Sequence, residues 1–206
     1  MKLASLLFIS FSLAIVSCKQ PDSSTKPADE TAKPQVYKSN EIGWSIEMPS
    51  GWSIVTQGRL DSLDKKGKDI MEKESGDSID TKGLKHLASF KKNQFNFFGS
   101  TIEPFKEDTA GEYDAQNRAL DVFLYNTYVN QGIKTDTSTG TEIVQGLKFN
   151  VFNAAIHGPD GNVILRQILY SRLINGYDFG VNINYNNEDD KKVMLDAFKN
   201  SKFEKK

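Results

Sequence analysis

Few residues in this 206-residue chain have the chemistry and spacing of a site. Cys18 is the only cysteine, and the two histidines, His86 and His157, stand far apart with no second nitrogen or thiolate ligand nearby, so zinc has no ligand set. Asp136, Ser138, Gly140 and Glu142, in the run Asp-Thr-Ser-Thr-Gly-Thr-Glu, place polar positions at every second residue, as calcium loops sometimes do. The run lacks the second carboxylate and the distal Glu of an EF-hand, and its composition suits a polar loop entering a strand. There is no Gly-x-Ser-x-Gly and no Gly-rich phosphate loop. No catalytic residue, metal ligand or cofactor follows, and the reading leans away from an enzyme. Carboxylate pairs assembled only by the fold are invisible at this level.

Binding is the other chemistry to consider. Trp44, Trp52, Phe95, Phe97 and Phe98 form a candidate binding surface, because aromatic anchors dominate such surfaces. The same side chains are what a sheet between helices buries, so core packing competes with that reading. Lys65, Lys66 and Lys68 could meet anionic lipid heads, yet Asp64 and Asp69 interrupt them as on a solvated helix face.

Cys18 gains meaning from what precedes it. Met1 to Ser17 carries one positive charge, Lys2, then an apolar core from Leu3 to Val16, then small or aliphatic residues up to the cysteine. That core has fourteen residues interrupted by Ser5, Ser10 and Ser12, short of the roughly 20 that a membrane-crossing helix needs. The segment resembles the lipobox of bacterial lipoproteins. The resemblance implies cleavage before Cys18, diacylglycerol on its thiol and acylation of the new amino group, with palmitate as a natural label. Within that family an Asp directly after the lipidated cysteine favours the inner membrane, whereas Lys19 stands here, which implies the outer membrane.

Composition bounds the remainder. Loss of Met1 to Ser17 removes one Lys and no acid, so the net charge moves from −1 to near −2, which argues against a nucleic-acid partner. With Cys18 lipidated no disulfide is possible, and stability must come from an ordinary core. Residues 18–35 hold three of the six prolines and no aromatic or large aliphatic residue, and read as a disordered tether. A single globular domain, residues 36–206, follows.

Its elements are partly legible. Trp44, Ile46 and Met48 alternate as in a strand, and Pro49-Ser50-Gly51 turns into a second alternation, Trp52 and Ile54. Leu60, Leu63, Ile70 and Met71 fall on one side of a surface helix over Arg59 to Lys73. Leu84 to Lys92 and Phe95 to Phe105 read as strands, the second apolar on both faces and so covered on both. Thr109 to Glu112 has the spacing of a capping box for a helix from about Ala110 to Gln131, stopped by Gly132. Leu147 to His157, Asn162 to Ile174 and Tyr177 to Tyr185 predict an antiparallel meander, with Asn175-Gly176 as a type I′ turn and a wet side on the last strand. A closing helix over Asn187 to Lys199 is capped by Asn186 or Asn187.

Gly43-Trp-Ser-Ile-Glu-Met-Pro-Ser-Gly-Trp52, the meander, the last helix and the ending Ala-Phe-Lys-Asn-Ser-Lys-Phe203 resemble the Mog1/PsbP-like superfamily over nearly all of Val36 to Phe203. The resemblance implies an α+β fold with a curved antiparallel sheet flanked by helices, and several bacterial members are lipoproteins. No site motif of the named members is identifiable, so their functions are not carried over. The expected role is a lipid-anchored binding or assembly module of the cell envelope with a protein partner and a membrane contact through Cys18. The alternative is a carrier or hydrolase for a small ligand, using a pocket between the sheet and the helix from Ala110 to Gln131.

Overall fold

The computed structural model describes residues 35–204. The expected leader, Cys18 and residues 19–34 of the expected tether lie outside them. The chain first forms β1 (Val36–Ser39), β2 (Trp44–Glu47), β3 (Ser53–Ile54), α1 (Gln57–Ser75), β4 (Lys85–Lys91) and β5 (Phe97–Pro104). α2 (Glu112–Asn130), β6 (Thr135–Val144), β7 (Leu147–His157), β8 (Val163–Ile174), β9 (Tyr177–Tyr185), α3 (Glu188–Lys199) and β10 (Lys202–Phe203) follow. Every strand pairing is antiparallel. A seven-stranded sheet has the order β3-β4-β5-β9-β8-β7-β6, and a three-stranded one the order β1-β2-β10.

Both faces of the large sheet are covered, which is why β5 is apolar on both sides. On one face Phe90, Phe98, Phe149 and Phe179 pack with Trp44 and Ile46 of β2 and with Met194 and Phe198 of α3. On the other, Leu124 and Tyr128 of α2 meet Phe152, Ala154, Ile156 and Leu165. Leu60 of α1 joins Val55 and Phe97, while Met71 packs with Ile79, Leu120 and Phe123. Burial of aromatic and aliphatic area on two faces of one sheet stabilises the fold, at about 25 cal/mol per Å² removed from water.

Four local expectations change. The Asp136 to Glu142 run is strand, because Gln145 and Gly146, at φ 52° and 78°, make a two-residue turn that pairs β6 with β7 along its length. The meander therefore has four strands, β6 to β9. α2 begins at Glu112 after Gly111 and makes no side-chain capping bond; the Glu112 carboxylate instead accepts from the Asp108 amide at 2.6 Å. The expected wet side of β9 is largely covered, since Asn182 and Asn184 are 0% and 3% exposed beneath the helical layer and Asp178 and Gly180 are half-buried. By contrast, Asn187 caps α3 as the sequence suggests, accepting from the Asp190 amide at 2.8 Å.

Candidate functional site

The five aromatics do not form one surface. Trp44 and Phe98 are fully buried, Trp44 against Phe179 at 4.9 Å between centroids and Phe98 stacked on Phe90 at 4.5 Å. Trp52 packs edge-on against Phe90, whereas Phe97 lies on the opposite face of the sheet with Leu60, and Phe95 is at the margin of the α2 cluster. Successive strand residues point to opposite faces, so Phe97 and Phe98 cannot share a groove. Trp44, Phe97 and Phe98 are core, and Trp52 and Phe95 are half-buried at its margins.

The oxygen donors of β6 are likewise taken separately. Asp136 meets His157, with Oδ2 2.7 Å from Nε2, and Glu142 accepts from the Tyr170 hydroxyl at 2.7 Å and pairs with Lys199 at 2.6 Å. The two carboxylates stand six residues apart on one strand, roughly 20 Å at the rise of a strand, and cannot hold one ion. Among the described residues no group of three acidic, histidine or cysteine side chains is placed to hold a metal. His86 on β4 pairs with Asp64 of α1 at 2.7 Å and ties that helix to the sheet. Lys68 pairs with Glu72 at 3.6 Å on the solvent side of α1.

What the fold does assemble is a polar seam between α2 and the sheet, which takes in Asp178 and Asn182, two residues the sequence placed on a wet face. The Tyr113 hydroxyl donates to Asp178 Oδ1 at 2.6 Å, the Asn117 amide to the Tyr113 carbonyl at 2.9 Å, and the Ser171 hydroxyl to Asn117 Oδ1. Deeper along the seam, Tyr128 donates to Gln167 Oε1 at 3.1 Å, and the Gln167 amide to Asn182 Oδ1 at 3.2 Å. Glu103 of β5 lies directly opposite Asp178 of β9, a carboxylate pair that only the strand register creates. Burial, reinforced by the Asp178 charge, pushes the Tyr113 phenol far up, so it stays a donor and cannot serve as a base near neutrality. Ser171 and Tyr113 each donate to an acceptor already in place, which suits a fixed joint between helix and sheet better than an activated nucleophile. The joint is closed by the apolar cluster around Leu124 and Phe152.

Two features face outward. An open cleft of about 180 Å³ lies where β8 begins beside α3, lined by residues that include Val163, Arg166, Tyr185 and Asn187. On α2, Val122, Tyr125 and Val129 are 60%, 45% and 52% exposed. Their spacing of three and four residues sets them in one row along the helix. The carboxyl of Asp121, next to this row, is pushed up to about 6 by burial. An exposed row of large apolar side chains was concealed in the sequence, because α2 is apolar on its inner side as well.

Comparison with known proteins speaks to the architecture. No family model and no curated protein matches the chain. Among solved structures it is similar to the solution structure of cyanobacterial PsbP (CyanoP) from Synechocystis sp. PCC 6803, with a TM-score of 0.52 over 93% of this chain and 99% of that one. The fold is PsbP-like. At 11% identity the likeness establishes the fold alone. In this PsbP-like domain the helical layer is held down by the Tyr113–Asp178 seam and offers solvent the Val122 row.

Proposed function

We propose that this protein is a lipid-anchored module of the bacterial cell envelope, held in the outer membrane through Cys18, that works by binding or assembly with a protein partner. The anchoring half rests on the leader and on Cys18 with its Pro-rich tether. Three acyl chains bind firmly where one binds marginally, since each buried methylene adds about 0.8 kcal/mol.

The binding half is carried by one observation, the row Val122, Tyr125 and Val129 on the outer side of α2. Apolar side chains aligned on a rigid helix are what an interface uses as anchors, and this helix cannot shift them, because Tyr113, Asn117 and Tyr128 fasten its inner side to the sheet. Cells expressing the chain are labelled with a palmitate analogue, and the protein is recovered from solubilised membranes with its bound partner. Cys18→Ser is expected to lose the label. The double variant Val122→Ser, Val129→Ser is expected to keep the label and the melting temperature, since surface changes move stability by about 0.5 kcal/mol or less, and to lose the partner. Label retained on Cys18→Ser overturns the anchor. A partner retained by the double variant overturns the α2 surface.

A further inference from the structure

The two edges of the large sheet differ. At one end β3 has two residues, too short to recruit another strand. At the other, β6 runs for ten residues from Thr135 to Val144 with no proline and no lysine, and among the described residues nothing pairs with its outer side. Natural sheets blunt such an edge with charge, proline or a bulge, or they use it.

Register shows which backbone groups are free. The His157 amide donates to the Lys134 carbonyl at 2.9 Å, and Val144 faces Leu147 across the two-residue turn. Both are positions where residues of an antiparallel pair exchange hydrogen bonds, and such positions recur at every second residue. The even-numbered residues of β6 therefore bond to β7. Thr135, Thr137, Thr139, Thr141 and Ile143 turn their amides and carbonyls outward. Their side chains share one face, and none carries a charge.

We infer that β6 pairs antiparallel with β6 of a second copy of this chain, about a two-fold axis through Ser138, so that the two large sheets become one. Self-pairing requires residues of like parity to face each other, and the charges select among the possible centres. An axis through Thr139 sets Asp136 against Glu142 of the second copy and repels. An axis through Ser138 sets Thr135 against Thr141, Thr137 against Thr139, and Lys134 against Glu142, pairs that stabilise adjoining strands. A two-fold interface of this kind buries the same patch on both partners. The tether is a poor occupant, because Pro21, Pro27 and Pro34 interrupt any ladder it could form.

The test uses the full chain with Cys18→Ser, so that an introduced thiol is the only one. Ser138 faces itself across the axis at a position without exchanged hydrogen bonds, where Cα atoms approach to about 4.5 Å, within reach of a disulfide. Gly140 is displaced from its copy by four residues along the strands, about 13 Å, beyond that reach. Ser138→Cys is expected to form a covalent dimer at least about tenfold faster than Gly140→Cys. Thr139→Pro removes an outward amide and leaves the β6–β7 bonds intact, so it is expected to keep the fold by circular dichroism and to turn the dimer into a monomer in sedimentation. Equal cross-linking rates overturn the pairing, as does a monomer before the proline is introduced. A dimer that survives Thr139→Pro, or Ser138→Cys linked to a different protein in place of its own copy, overturns it as well.

Discussion

His157 of β7 and Asp136 of β6 meet diagonally across the two strands with Nε2 2.7 Å from Oδ2, while His157 Nδ1 lies 2.8 Å from the Gly161 carbonyl. Both neighbours are acceptors, so the arrangement favours the ring with two N–H donors. The bond to Gly161, then the one to Asp136, holds the His157 pKa above its ordinary value. His157 thereby joins the β7–β8 turn to the edge strand β6.

That relationship makes the edge sensitive to pH. A histidine whose folded pKa is raised contributes stability that is fully present below its unfolded pKa, about 6.5, and is lost as pH rises through the higher folded value. NMR titration of the His157 ring is expected to show a lower pKa in Asp136→Asn than in the parent. In His157→Gln the melting temperature should lose the part of its pH dependence that lies above about 6.5. An unchanged His157 titration in Asp136→Asn would count against the pairing in solution.

Asp121 gives a second pH-dependent term with a different origin. Burial alone pushes its carboxyl up to about 6, so the folded chain binds this proton more tightly than the unfolded one. The associated stability is present below the unfolded pKa of about 3.9 and is lost as pH rises towards 6. Asp121→Asn removes the cost of a half-buried charge. It is expected to stabilise the protein at neutral pH by about 1 kcal/mol, a value reduced for solvent screening of a half-exposed group. Denaturant unfolding of the two proteins should converge below about pH 4.

Trp44 and Ser201 are 157 positions apart in sequence, yet Nε1 donates to Oγ at 2.9 Å where both residues are buried. Trp44→Phe keeps much of the packing against Phe179 and leaves the Ser201 hydroxyl without this donor, a loss of about 1–3 kcal/mol. Adding Ser201→Ala to Trp44→Phe should recover part of it. A double-mutant cycle by urea unfolding measures the coupling, and additive losses would deny it.

The apolar periods announce β2, β5, β7, β8 and β9 and the turn at Asn175, because alternation and turn residues act locally. Gly132 as the stop of α2 and Asn187 as the cap of α3 are legible for the same reason. β6 is not, since Thr, Ser and Gly carry no apolar alternation and the Gln145-Gly146 turn is a weaker signal than Asn-Gly. Nor is the burial of Gln167, Asn182 and Asn184, because an amide opposite an apolar face reads as a solvent-facing residue until a helix covers it.

Taken alone, the sequence determined the composition-driven features: one cysteine after an apolar N-terminal segment, a proline-rich stretch without core residues, and a mixed α+β domain with an antiparallel meander. These depend on neighbours within a few residues. Tertiary structure decided which aromatics are core, which amides are covered, that Glu103 faces Asp178, and that Val122, Tyr125 and Val129 stay outside. Each of those depends on which surface a strand or helix packs against, and contacts over tens of residues are set by the whole sheet order rather than by local pattern.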